Sequence, residues 1–490
     1  MNKYHLIFIL SMLCSSDVFA QTDGGEYYTL KQIIRIARDQ SISAKRAETT
    51  RENRYWQYRN FRSRYQPQLS LDGTLPNFSR TVDNVQQNDG SYNFVPVSIN
   101  NSIVNLRLSQ AIAPTNTRVF LNSSVRRFDN FATDATLYSG NPMELGIIQP
   151  LFQFNGLKWD NKIEPLRYQE SKKGYVEDLE RISVNSSELF FDLLLAQISA
   201  EISSKNLLNN DTIYKIAEGR YNLGNIAENE LLQLELTVMN SRQALAQANL
   251  DLETSTLRLK SFIGITTPGP IQLVLPGSIP DFEVDENVAL SEARRNRQEV
   301  TGFERRKMEG DREVAQARGE TGLVADLFAR FGLTNRSDNL QGLYVNPEDQ
   351  QIISLGFEIP ILDWGRQKSR IKTAEANQKF IQYTVQQDEI NFDQEVYTQV
   401  KQLKMLRDQL LITEKADDIA QRRYDISKNR YMIGKIGITD LNIALQEKDE
   451  AKRSYILSLR NFWNAYYTLR QLTLYDFEAN RPIEHEHLIE

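Results

Sequence analysis

The sequence predicts a mixed α and β fold, internally duplicated, in which long coiled-coil helical hairpins alternate with short amphipathic strands. Three observations predict it. Residues 220–226 read Arg-Tyr-Asn-Leu-Gly-Asn-Ile and residues 430–436 read Arg-Tyr-Met-Ile-Gly-Lys-Ile, so Arg220, Tyr221, Gly224 and Ile226 recur as Arg430, Tyr431, Gly434 and Ile436 at an offset of 210. A long period with matched flanks marks duplication of a whole structural unit. Around both copies apolar residues recur every seven positions, which specifies helices packed side by side. Elsewhere, stretches of about ten residues alternate apolar and polar, the period of a strand with one polar face.

In order, the chain opens with Met1-Asn2-Lys3, an apolar core from Leu6 to Leu13, and Val18-Phe19-Ala20 before Gln21. This is the pattern of a cleaved export signal over residues 1–20. The only cysteine, Cys14, lies inside it, so the mature chain has no thiol chemistry. No later stretch is apolar enough for a membrane helix; an exported chain of this kind would cross a membrane only with closed β-strands.

The first repeat, 21–265, starts with a helix from Tyr28 to about Tyr65, with Thr29 as N-cap and Leu30, Ile33, Ile34 and Ala37 as its stripe. Strands follow at 68–77 (Leu69, Leu71 and Leu75 on one face) and 143–152 (Met143, Leu145, Ile147 and Leu151). Between them, 103–112 and 118–128 also alternate and form a candidate extra hairpin, flanked by Asn- and Ser-rich stretches, 77–102 and 129–142, that read as exposed connections. A heptad run through Leu193, Ala200, Leu207, Tyr214 and Tyr221 leads to Gly224, and Leu231, Val238, Leu245, Leu252 and Leu259 lead away. A helix from Gln169 to Leu223 would be about 80 Å long. Residues 266–283, with Pro268, Pro270, Pro276 and Pro280, read as a linker.

The second repeat, 284–476, copies this order. Its helix, about 288–321, matches the first at an offset of 256, and its strands at 323–333 and 351–361 precede a hairpin matched at 210. The first repeat therefore carries about 46 extra residues in its strand region, room for one hairpin. Leu145-Gly146 and Pro150-Leu151-Phe152 match Leu355-Gly356 and Pro360-Ile361-Leu362, where Pro ends the strand. Val396, Leu403, Leu410, Tyr424 and Tyr431 form the incoming heptad, interrupted by Asp417; Leu445, Lys452, Leu459 and Tyr466 form a looser outgoing one. Residues 477–490 are a polar tail.

Acidic residues outnumber basic ones by 64 to 58, for a net charge of −6, and the basic ones are scattered, which argues against a nucleic-acid partner. No Ser/His/Asp set, phosphate loop or Cys/His cluster points to an enzyme, a metal or a cofactor. His485 and His487 flank Glu486 in the tail and read as solvated. Alternation alone leaves both a membrane barrel and a soluble one-sided sheet open, and with the latter a periplasmic or secreted coiled-coil structural protein.

The layout of helix, strand pair and long helical hairpin, given twice, resembles the TolC family of outer-membrane efflux proteins over essentially the whole mature chain. The paired turns carry the resemblance: Tyr221, Gly224 and Glu230 in one copy, and Tyr431, Gly434 and Asp440 in the other. It implies a homotrimer in outer-membrane lipid. Each protomer would give four strands to a 12-stranded transmembrane β-barrel and its helices to a periplasmic α-barrel. The result would be a passive duct for efflux or type I secretion, opened by a periplasmic membrane-fusion adaptor and an inner-membrane pump of RND or ABC type. By the same resemblance the turns at Arg220, Tyr221, Gly224, Arg430 and Gly434 are the adaptor-docking tips. Asp440, Tyr431 and Glu230 stand at aperture positions. Ile443 replaces a second acid, and Ile436 a basic residue with Lys435 beside it. Heptad core packing is the competing role for Tyr221 and Tyr431.

Overall fold

A computed structural model describes residues 27–266, 269–277 and 279–483. The expected export signal with Cys14, and the tail histidines, lie outside these residues. Strand β1 (Tyr27–Tyr28) is followed by helices α1 (Leu30–Gln40) and α2 (Ile42–Ser63). The single helix expected from Tyr28 to Tyr65 is thus broken. The cause is Ser41, which is buried and whose Oγ accepts from the Ala44 N–H at 3.0 Å, an N-cap inside the periodic run.

Five strands come next: β2 (Gln68–Thr74), β3 (Phe78–Gln86), β4 (Tyr92–Ile112), β5 (Thr117–Asn130) and β6 (Ala135–Leu151). The stretches 77–102 and 129–142, expected as exposed connections, are largely strand. Their Asn and Ser residues sit on ladders, tied for example by Asn100 to Asp129 at 2.8 Å. Two 67-residue helices, α3 (Gly156–Asn222) and later α7 (Arg366–Met432), each pair with a 36-residue return helix, α4 (Glu228–Ile263) and α8 (Ile438–Thr473). Between the hairpins lie β7 (Gln272–Leu273), α5 (Glu286–Asn296), α6 (Gln298–Gly319), β8 (Val324–Ser337) and β9 (Glu348–Glu358). The second long helix expected over 288–321 breaks at Arg297, matching the break at Ser41. The chain closes with β10 (Tyr475–Asp476) paired to β11 (Arg481–Pro482).

All the long strands form one antiparallel sheet in the order β2-β4-β5-β6-β8-β9, with β3 lying beyond β2 along the same edge of β4. The candidate hairpin at 103–128 therefore enters the sheet. The four-strand contribution that the resemblance implies is widened to six positions. One face is largely apolar: Leu69, Leu108, Leu121, Leu145 and Phe331 stand in a single ladder row that ends at Gln351. These apolar side chains are open, Leu71 at 72% and Phe357 at 70% exposure. The opposite face carries the row Ser70, Arg107, Asn122, Glu144, Gly332 and Gln350. Glu144 is buried and pairs with Arg330 at 3.3 Å.

The chain separates into two compact units, one of residues up to Ala37 with Glu188–Ile279, the other of Arg38–Ser187 with Pro280 onward. In the first, the expected linker is strapped down. β7 pairs in parallel with β1, and the Gln197 side chain donates to the Ile271 carbonyl at 2.5 Å while accepting from the Leu273 N–H at 3.2 Å. In the second, Phe462, Trp463, Tyr466 and Tyr467 of α8 are buried beside a charge cluster in which Glu180 accepts from Arg38 at 2.8 Å and from Arg470 at 3.2 Å. Among the described residues no helix is long and apolar enough to cross a membrane.

Candidate functional site

The two matched turns are built by the same backbone device. Gly224 and Gly434 adopt φ of +75° and +73°, a left-handed conformation that costs any residue with a Cβ. In the first turn the Gly224 N–H donates to the Tyr221 carbonyl at 2.8 Å and the Asn225 N–H to the Arg220 carbonyl at 2.9 Å. In the second, Gly434 donates to Tyr431 and Lys435 to Arg430, both at 2.9 Å. This nested pair is a Schellman motif that satisfies the carbonyls left over at a helix end. The repeated Arg-Tyr-x-x-Gly is therefore first a chain-reversal signal: the Arg and Tyr backbone carbonyls accept the closing hydrogen bonds, and Gly supplies the left-handed conformation.

The side chains diverge between the copies. Tyr431 is buried at 8% exposure, one of the α7 residues facing α8, in line with Val396, Leu403, Leu410 and Tyr424, all buried. Tyr221 is 38% exposed, and Tyr214 one heptad before it is only half-buried, so the first hairpin thins towards its turn. Asp440 and Glu230 each occupy the first turn of the returning helix, exposed, where a carboxylate is favoured by the N-terminal end of the helix dipole. Arg430 and Asp440 share a groove of about 570 Å³ with Ile419, Arg422, Ile426 and Ile436. Arg220 is half-buried.

The sequence did not reveal how the second hairpin tolerates Asp417 and Lys452 in its heptad seam. The two residues meet: Lys452 Nζ lies 3.0 Å from Asp417 Oδ2, so each interruption supplies the other's partner across the hairpin. The signal was present in the sequence as two charged residues of opposite sign, each at a heptad position, one in each arm.

The family described as outer membrane efflux protein matches residues 114–265 and 289–473. Three solved outer-membrane channels share the fold. The Campylobacter jejuni CmeC channel is 16% identical, with a TM-score of 0.66 over 93% of this chain and 87% of that one. Vibrio cholerae VceC is 13% identical, with a TM-score of 0.63 over 91% and 95%. The open state of Neisseria gonorrhoeae MtrE is 16% identical, with a TM-score of 0.61 over 93% and 91%. No curated sequence matches the chain.

Proposed function

The chain belongs to the outer membrane efflux protein family, and from that premise we propose that it is the passive outer-membrane duct of an export system, working as a homotrimer. It resides in the outer membrane, and its family is one of channels. The observation that carries the reading is the open apolar face of the sheet, set on helices about 100 Å long. A soluble sheet buries such a face under a second layer, because each exposed large apolar side chain forgoes about 1.5–3 kcal/mol of burial. In a bilayer the same face is solvated by lipid, while the polar face lines water. The free outer edges of β2 and β9 need partners there, and copies of the same chain supply them.

In this reading the turns at Gly224 and Gly434, with Arg220, Tyr221 and Arg430, are the surface on which a periplasmic adaptor docks, coupling the duct to an inner-membrane pump of RND or ABC type. Asp440, with Glu230 and Tyr431, restricts the aperture. The two repeats, 21–265 and 284–476, are the units of duplication. The test is fractionation of the natural host. Heat-modifiable trimers in the outer membrane, and loss of export of dyes or drugs on deletion, are the expected results. A soluble periplasmic protein would overturn the reading in favour of a coiled-coil structural role.

A further inference from the structure

We infer that the membrane barrel of this protein has eighteen strands, six from each of three copies, and that β4 and β5 form a third of its wall. The inference rests on the trimeric duct proposed above. Four observations carry it.

First, β2 pairs with β4, β4 with β5 and β5 with β6, so the inserted strands stand between the two that would be neighbours in a four-strand contribution. Second, the inserted strands have the same two faces as the rest. Leu106 and Leu108 of β4 stand opposite Leu71 and Leu69, Leu121 of β5 stands between Leu108 and Leu145, Val104 stands opposite Val125, and Val119 stands opposite Ile147, so the apolar face continues across the inserted strands. A hairpin folded into the lumen, or standing clear of the membrane, has no use for a lipid-facing row.

Third, the lower turn of the hairpin is fastened at the level where the other strands meet their helices. Gln110 Nε2 donates to the Tyr65 carbonyl at 2.7 Å, and Asn155 Nδ2 donates to the Ala113 carbonyl at 2.8 Å. Tyr65 and Asn155 belong to the joints that precede β2 and follow β6, so the hairpin spans the same height as its neighbours. Fourth, Phe120 of β5 lies over Gly146 of β6 and stacks towards Phe328 of β8 with ring centroids 6.4 Å apart, which keys the inserted strand to its neighbour β6 and to the strand beyond it.

Six strands are too few to close around a lumen, whereas three copies close with antiparallel contacts between β9 and the neighbouring β2. Barrel diameter grows roughly linearly with strand number, so the wall is about 1.5 times as wide as a 12-stranded one and encloses about twice the cross-section. The membrane segment therefore suits bulkier cargo than a 12-stranded exit admits.

Electron cryomicroscopy of the full-length trimer in nanodiscs counts the strands directly. Eighteen are expected; a trimer with a 12-stranded wall and residues 92–130 folded outside it would overturn this inference and leave the duct reading intact. Absence of any trimeric barrel would overturn the duct reading, and this with it. Cysteine pairs give a second measurement, because the mature chain is expected to lack cysteine. Oxidation should join Asn122→Cys to Glu144→Cys within one chain. It should not join Ser70→Cys to Glu144→Cys, which lie three strand positions apart, roughly 14 Å and beyond disulfide reach. Efficient joining of the second pair would place β2 beside β6 and sink the inference.

Discussion

The ring of Phe120 fills the space over Gly146: a Cβ at residue 146 would stand 2.1 Å from Phe120 Cζ. The matched glycine of the second repeat, Gly356, has open space above it. Of the two matched glycines only Gly146, beside the inserted hairpin, is covered by an aromatic ring, a pairing that stiffens strands at glycine. Gly146→Val should therefore lower the temperature at which the trimer dissociates, by the equivalent of about 1–3 kcal/mol of overpacking. Phe120→Ala in the same chain should recover part of the loss, because it removes the ring that the new side chain strikes. Additive losses in the double variant would show that the contact is not what sets the cost.

At the tips the demand for glycine is conformational and local. Gly434→Val or Gly224→Val places a β-branched residue at φ near +75°, where strain of about 1–3 kcal/mol is expected. Gly434→Asn should be far milder, since Asn tolerates this conformation. Drug susceptibility should rise in the Val variants while heat-modifiable trimers still reach the outer membrane. Loss of the trimers instead would mean that these turns are needed for assembly rather than for docking.

The helical hairpins were legible because heptads are long: Val396, Leu403, Leu410, Tyr424 and Tyr431 are all buried where their spacing places them. The strand region was legible only in part. Leu69, Leu71, Leu106, Leu108 and Leu121 alternate as strands should, but alternation says nothing about lateral order, so the place of 103–128 in the sheet was open until the ladders were seen. Residues 77–102 read as loop in the sequence because Asn and Ser normally mark loops, whereas here they face water or bridge strands, as Asn100 does to Asp129 at 2.8 Å. The helix breaks at Ser41 and Arg297 were hidden because the apolar stripe runs through both. At the tips the sequence located the turns at Gly224 and Gly434, and it left open whether Tyr431 packs inside its own hairpin, which only its burial reports.

Asp440 is exposed in the first turn of α8, in the groove it shares with Arg430. In the trimeric duct proposed above its three copies would form a ring of carboxylates, which would attract cations at a constriction. Asp440→Ala should raise single-channel conductance in planar bilayers and weaken block by divalent cations. Currents and block identical to the unmodified protein would remove Asp440 from the gate.

Glu177 sits with Arg297 at the break between α5 and α6, each side chain 7% exposed and the two 3.5 Å apart. Burial, and next the Glu299 carboxylate, push its carboxyl above the usual range, and the Arg297 guanidinium offsets only part of this. A carboxyl whose folded pKa is raised favours the fold at pH below its unfolded value, near 4.3. That advantage is lost as pH rises through the folded value. Glu177→Gln removes the buried charge and keeps an acceptor for Arg297. Its melting temperature should exceed the unmodified protein's at pH 7.5 and converge with it near pH 4. A lower melting temperature at pH 7.5 would show that attraction to Arg297 outweighs the cost of burial.

Asp417 and Lys452 answer one another across the α7–α8 seam, 3.0 Å apart, with Asp417 18% and Lys452 36% exposed. At that exposure the pair adds little net stability, about 0.5–1 kcal/mol, and replacing one partner costs more than replacing both. Asp417→Ala strands a lysine in the seam, whereas Asp417→Leu with Lys452→Leu restores a continuous apolar heptad. The single change should lower the unfolding temperature and the double leucine variant should match or exceed the original. A polar pair in an otherwise apolar seam fixes which residues face each other, because sliding either helix by a heptad leaves both charges unmatched. The double leucine variant should therefore be stable yet less uniquely registered, with slower or less complete assembly of heat-resistant trimers. Assembly as efficient as that of the unmodified chain would show that neighbouring contacts, such as Lys448 over the Tyr424 ring at 4.5 Å, already set the register.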